Sequence, residues 1–319
     1  FFFMILLMKK LHFLFFLPIF FLFKHLLLGL ENDRCIFARE GSHSPLIYYY
    51  TPPSDANTNY PILVVCEGSS SKEDIGSVLF MRNKCLKWIK ELNVGCLAIE
   101  KWGVDGDKVD EEQFWPHYTR SQRLLDHLSV INHFEKNPPK GWNGLFIFLG
   151  ASEGSWLAAE LSCLCPKTLA VMTWVGPVAC GWADHLWTFF SHLKKLYPQA
   201  SFDMPSKREE FNEILEEIKG NTSPYLWFSG MTYLYHADAL LQKEIEYSKI
   251  KAPLLVVAGE KDGIIELCDQ FVKNVHDSGG RVSYFRIPDM DHGIRYREDV
   301  MEQSFDWLRK QIIDYNLSL

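Results

Sequence analysis

The sequence contains no Cys-x-x-Cys pair and no His-Glu-x-x-His stretch, so the commonest zinc-ligand spacings are missing. It has no basic stripe either: 33 Lys and Arg stand against 40 Asp and Glu, for a formal net charge of −7. A chain with that balance lacks the electrostatic footprint of a nucleic-acid-binding protein. No internal repeat is present, which excludes a solenoid or propeller, and no low-complexity linker marks a domain boundary. A mean hydropathy of −0.09 excludes a polytopic membrane protein. What remains is a globular composition, 47% hydrophobic and 23% charged over 319 residues, long enough for one large α/β domain.

The first thirty residues depart from that average. They read FFFMILLMKKLHFLFFLPIFFLFKHLLLGL and hold nine of the 23 Phe. Lys9-Lys10 precedes thirteen residues, Leu11 to Phe23, whose apolar run is broken only by His12 and Pro18. This is the layout of the charged and apolar regions of a signal peptide. The run is short of the roughly 20 residues of a spanning helix, and Lys24-His25 interrupts its extension. No small-x-small cleavage site follows. The expectation is a signal peptide or N-terminal membrane anchor over residues 1–30, hence export or membrane tethering. A cytoplasmic protein is the alternative if the segment upstream of Met8 is a mis-called start. The eight Cys show no stapled framework. They are expected to be core thiols, with one or two disulfides left open.

From residue 45 onward apolar strands alternate with helical stretches. Strands are expected at 46–50, 61–66, 94–99, 144–149, 169–175, 253–258 and 282–287. Helices are expected at 73–92, 121–135, from 152 to about 164, at 266–277 and at 297–313. This alternation predicts a mostly parallel central sheet with helices on both faces. Residues 179–250 break it. They carry helical pieces and no buried strand, including Ser206-Lys207-Arg208-Glu209, a capping-box pattern ahead of a helix ending at Gly220. Seventy-two residues is too long for a connector, so a helical lid subdomain is expected within a single domain spanning 31–319.

Gly150-Ala151-Ser152-Glu153-Gly154 matches G-x-S-x-G. Such a match arises by chance in about one chain in ten at ordinary composition. Its position is what makes it informative, because it ends an apolar strand and opens a helix. A serine there needs a base, and the base needs an orienting acid, in the chain order Ser, acid, His. Asp262 lies in Gly259-Glu260-Lys261-Asp262-Gly263 after one strand, and His292 in Asp289-Met290-Asp291-His292-Gly293 after the next. Glu260 and Asp291 are the alternatives for the acid. His117, after the strand near Glu100, could border the pocket but is read as structural. The acidic cluster Asp105, Asp107, Asp110, Glu111 and Glu112 lacks EF-hand spacing and is read as a solvated loop.

On these three motifs the sequence, from about residue 45 to its end, resembles the α/β-hydrolase superfamily. The resemblance implies Ser152 as nucleophile, His292 as general base and acid, and Asp262 as orienting acid. It implies an oxyanion hole from the backbone N–H groups of Glu153 and Ser69, the latter in Glu67-Gly68-Ser69-Ser70. The family often has His-Gly at this loop, and Glu67 in place of His is a departure. The implied activity is hydrolysis of a carboxylic ester or thioester, with no cofactor and no metal. Acyl transfer or cleavage of a small acyl-peptide uses the same triad, and a non-catalytic ligand-binding protein retaining the fold is the alternative of another class. Thirteen aromatics fall within residues 179–250. Trp182, Trp187, Trp227 and Phe228 among them are expected to wall a pocket for an apolar acyl or aromatic substrate.

Overall fold

The structure is a computed structural model and describes residues 33–39, 42, 44–176, 180–199 and 204–318. The expected signal peptide or anchor over 1–30 lies outside the described residues. Eight strands form one sheet: β1 (Arg34–Ala38), β2 (Pro45–Thr51), β3 (Tyr60–Cys66), β4 (Gly95–Ile99), β5 (Trp142–Ala151), β6 (Thr168–Trp174), β7 (Leu254–Gly259) and β8 (Val282–Ile287). Their spatial order is β1-β2-β4-β3-β5-β6-β7-β8. The pairs β1/β2 and β2/β4 are antiparallel, and the five pairs from β4/β3 to β7/β8 are parallel. Strands β3, β4 and β7 are buried along their whole length, which is why they read as unbroken apolar runs.

Apart from the four-residue helix Glu111–Phe114 and short 3-10 turns, the helices of the described residues are α1 (Val78–Glu91), α2 (Arg120–Lys136), α3 (Glu153–Leu164), α4 (Trp182–Leu196), α5 (Arg208–Gly220), α6 (Tyr233–Leu241), α7 (Ile265–Asp277) and α8 (Glu298–Ser318). Phe134 of α2, Leu157 of α3 and Phe271 of α7 pack on one face of the sheet. Trp88 of α1 and Phe305 of α8 pack on the other, their rings stacked at 5.1 Å. The chain leaves β3 toward β4, then returns past β3 to β5. The C-terminal ends of β3 and β5 therefore flank the point where strand order reverses, the usual place for a ligand crevice in such sheets.

Several expectations need correction. Strand β1, absent from the sequence reading, forms a half-exposed edge paired only with β2. Helix α1 begins at Val78 rather than 73, because Ser71 and Asp74 close a turn and Ser77 caps the helix by accepting the Leu79 N–H. The capping box at Ser206 does not form; Lys207 is the N-cap of α5 and no side chain caps it. The insertion between β6 and β7 holds α4, α5, α6 and a two-stranded ribbon, Trp227–Phe228 with Met231–Thr232. Its Phe211, Leu215, Phe228 and Tyr235 share an apolar cluster with Phe114, Trp115 and Tyr118. None of the eight Cys is in a disulfide, and Cys66, Cys85, Cys96, Cys165 and Cys268 are buried.

Candidate active site

The turn between β5 and α3 forces Ser152 to φ 54° and ψ −126°, a strained conformation for a residue with a side chain. Its N–H is tied to Trp174 O at 2.8 Å, so the turn rests on the neighbouring strand. The two flanking glycines are sterically required. A Cβ on Gly150 would stand 2.0 Å from Gly154 O, and one on Gly154 would stand 2.0 Å from Cys66 O. The sharp turn thus lifts Ser152 above the sheet edge beside the end of β3.

The other two residues arrive from adjacent strand ends. Asp262 follows β7 and is fully enclosed, with Oδ1 accepting the Ile264 N–H at 3.2 Å. His292 follows β8. Its Nδ1 lies 2.8 Å from Asp262 Oδ2, and its Nε2 lies 2.9 Å from Ser152 Oγ. A carboxylate only accepts, so Nδ1 carries the proton and Nε2 is free to take one from the serine. Burial alone would lower the His292 pKa, but the Asp262 charge and hydrogen bond outweigh it and raise it. The alternative acids are engaged elsewhere. Asp291 accepts the Gly293 N–H at 2.8 Å, and Glu260 pairs with Arg286 at 3.4 Å.

On the opposite side of Ser152, Gly68 is so close that a Cβ there would lie 3.2 Å from Ser152 Cβ. Ser69 is exposed next to it. Glu153 is the first residue of α3, so its N–H has no acceptor within the helix. Glu67 does not face the serine. Its carboxylate binds Lys101 Nζ at 2.6 Å, which accounts for the departure from His at this position as an internal ion pair.

The four insertion aromatics are mostly committed to packing. Trp182 is buried, with Nε1 donating to His236 Nδ1 at 3.0 Å, and His236 Nε2 in turn donates to Phe228 O at 2.8 Å. Phe228 is buried in the same cluster. Trp187 lies against Phe211 at 5.5 Å, and Trp227 meets Trp115 edge-on at 4.6 Å. The four contribute to an aromatic core that joins the insertion to the loop before α2. Sequence reasoning missed His185. It stacks on Trp182 at 4.9 Å, its Nδ1 is buried without a hydrogen-bond partner, and burial, Arg120 and His292 together push its pKa down to about 3. Helix α4 also covers the acid: a Cβ on Gly263 would meet the Phe189 ring at 2.8 Å. Only the short i, i+3 spacing of His185 to Trp182 was visible beforehand, and it carried no sign of the site.

His117 stacks flat on Trp102 at 3.8 Å and its Nδ1 donates to Gln113 O at 2.8 Å, a structural position. Of the acidic cluster, Asp105 pairs with Arg34 at 2.8 Å and Asp110 caps the short helix that follows it. Among the described residues no group of His, Cys, Asp or Glu is arranged to hold a metal ion.

The sheet order, the strained serine turn and the three loop-borne residues together define an α/β-hydrolase fold. Solved structures of that fold superimpose on most of the chain. Proline iminopeptidase from Mycobacterium smegmatis matches with a TM-score of 0.58 at 13% identity, covering 89% of this chain and 99% of its own. Est1E from Butyrivibrio proteoclasticus matches at 0.59 and 13%, covering 88% and 99%. The thermophilic carboxylesterase EstE1, cloned from a metagenomic library, matches at 0.56 and 15%, covering 88% and 87%. No family model and no curated protein matches the sequence.

Proposed function

We propose that the protein is a serine hydrolase that cleaves a carboxylic ester or thioester through an acyl-enzyme on Ser152. The observation that carries this reading is the continuous chain Asp262–His292–Ser152, with contacts of 2.8 and 2.9 Å. In the reaction Ser152 Oγ attacks the carbonyl carbon while its proton passes to His292 Nε2. The N–H groups of Ser69 and Glu153 stabilise the negative oxygen of the tetrahedral intermediate. Collapse breaks the bond to the alkoxide or thiolate, which takes the proton from His292. Water then attacks the acyl-enzyme with His292 again as base, releasing the acid and restoring Ser152. Every step uses side chains and backbone groups of this chain.

Helix α4 supplies the substrate side in this reading. Phe189 lies against Gly263 of the acid loop with His185 next to it, and an aromatic lining of that kind favours an apolar acyl or aromatic group. The insertion over residues 179–250 acts as the lid. A peptidase reading has a specific basis, since a proline iminopeptidase is among the similar folds. A chain-length series of p-nitrophenyl esters and acyl-CoA thioesters, run beside proline β-naphthylamide, separates these. Ester or thioester turnover with at least a hundredfold preference over the amide supports the proposal; the reverse ranking replaces it with a peptidase. Product analysis with added alcohol acceptors distinguishes hydrolysis from acyl transfer, and absence of turnover on all of them points to a ligand-binding protein. For the cell, we propose export or membrane tethering through residues 1–30, tested by N-terminal sequencing of the mature protein.

A further inference from the structure

Glu153 contributes in two directions. Its N–H belongs to the site, while its side chain turns into the protein and is buried. There Oε2 accepts the Tyr118 hydroxyl at 3.0 Å and stands 2.9 Å from Arg123 Nη1, with Arg120 Nε 3.9 Å from Oε1. Burial by itself would raise this carboxyl, but Arg123 and Arg120 hold it below the ordinary range, so it is ionised.

Both main partners of Glu153 go on to the same loop. Tyr118 Oη accepts the Ser70 N–H at 2.7 Å, and Arg123 Nη2 donates to Glu67 O at 2.5 Å. These two backbone groups bracket Gly68-Ser69. Lys101 adds a third tie, with Nζ 2.6 Å from Glu67 Oε2, 2.9 Å from Ser70 Oγ and 3.2 Å from Gly76 O. The Ser69 N–H is left without an acceptor among the described residues. Both ends of the loop are thus pinned to the carboxylate of the residue that carries the other donor. An oxyanion is held well only when both donors lie about 2.7–3.1 Å from it.

We propose that Glu153, acting through Tyr118 and Arg123, is a positioning residue that fixes the spacing between its own N–H and that of Ser69, and thereby the stabilisation of the oxyanion. This rests on the reading of Ser152 as nucleophile. Tyr118→Phe removes only the hydroxyl and leaves the ring packed between Phe114 at 4.7 Å and Tyr235 at 5.1 Å. The expected result is a fall in kcat of about tenfold or more, with KM within about threefold. A trifluoromethyl ketone, whose hemiketal oxygen occupies the same hole, should lose affinity by the same factor as kcat/KM. A merely structural role would lower the melting temperature and leave that inhibitor's affinity unchanged. Glu153→Gln keeps an acceptor for Tyr118 but removes the charge facing Arg123, and should give the same split. A folded Tyr118→Phe protein with unchanged kcat, or with unchanged ketone affinity, overturns the proposal, and decides it alone if Glu153→Gln does not fold. Wild-type labelling by a fluorophosphonate at Ser152 separates the two levels. With labelling present, a neutral Tyr118→Phe result removes this inference only; without labelling, the hydrolase reading falls and takes the inference with it.

Discussion

The two sides of Ser152 are built by different means. On one side, three side chains from loops after β5, β7 and β8 touch in sequence, and in the proposed reaction their contacts are the chemistry. On the other, the groups proposed to hold the oxyanion are backbone N–H donors, and charged side chains from α2 and from just beyond β4 tie down the loop that carries one of them. In the proposed reaction the triad side concentrates function in atoms whose removal stops turnover. In the same reading the oxyanion side spreads it through buried ion pairs, where each removal leaves a partner uncompensated. Loss on the first side should therefore be measured in rate, and on the second in both rate and stability.

The largest effect tests the triad side. Asp262→Asn should lower kcat by about four orders of magnitude, because the amide favours the wrong imidazole tautomer. Asp291→Asn should stay within about threefold, since Asp291 serves its own loop. Steady-state kinetics on one ester decide this, and the opposite pattern would move the acid to Asp291.

The next tests the oxyanion side. Lys101→Met leaves the Glu67 carboxylate in a largely enclosed position without its cation. A loss of about 2–3 kcal/mol in urea unfolding is expected, below the full value for a deeply buried pair because Glu67 keeps some contact with water. A third prediction contrasts two histidines. His236→Leu removes the acceptor of the Trp182 indole and should cost about 1 kcal/mol. The pH profile should not move, because burial already holds His236 neutral, with its pKa pushed down to about 4.

The smallest effect is the position of that profile. Imidazolium at His292 cannot accept the serine proton, so kcat/KM should rise with pH, with its midpoint above the ordinary 6.5. Asp262→Asn removes the charge that favours imidazolium and should move the midpoint to lower pH. A wild-type midpoint below 6.5 would contradict the electrostatics described for the site.

What was legible in the sequence follows the same division. Ser152, Asp262 and His292 each stand directly after an apolar strand, so local pattern and chain order placed all three. Ser69 was singled out only by the family resemblance of the loop after β3, and its backbone role belongs to the proposed reading. Arg123, Tyr118 and Lys101 were invisible because the polar partners of their side chains lie 25 to 56 residues away in the chain, and nothing local distinguishes them from solvated polar groups. Strand β1 was missed for a related reason: a half-exposed edge strand has no buried run. In the insertion, ring-to-ring contacts such as Trp227 on Trp115 join segments far apart in the chain, and no count of aromatics reveals them. Composition shows how much aromatic surface a segment has and leaves open what it faces.

The central claim, that Ser152 is a nucleophile activated by His292 and Asp262, is tested most directly by covalent labelling with a fluorophosphonate probe followed by peptide mapping. One label per chain is expected, on Ser152, abolished in Ser152→Ala and slowed by orders of magnitude in Asp262→Asn. A folded wild-type protein that takes no label, or a Ser152→Ala variant that still takes it, would contradict the account.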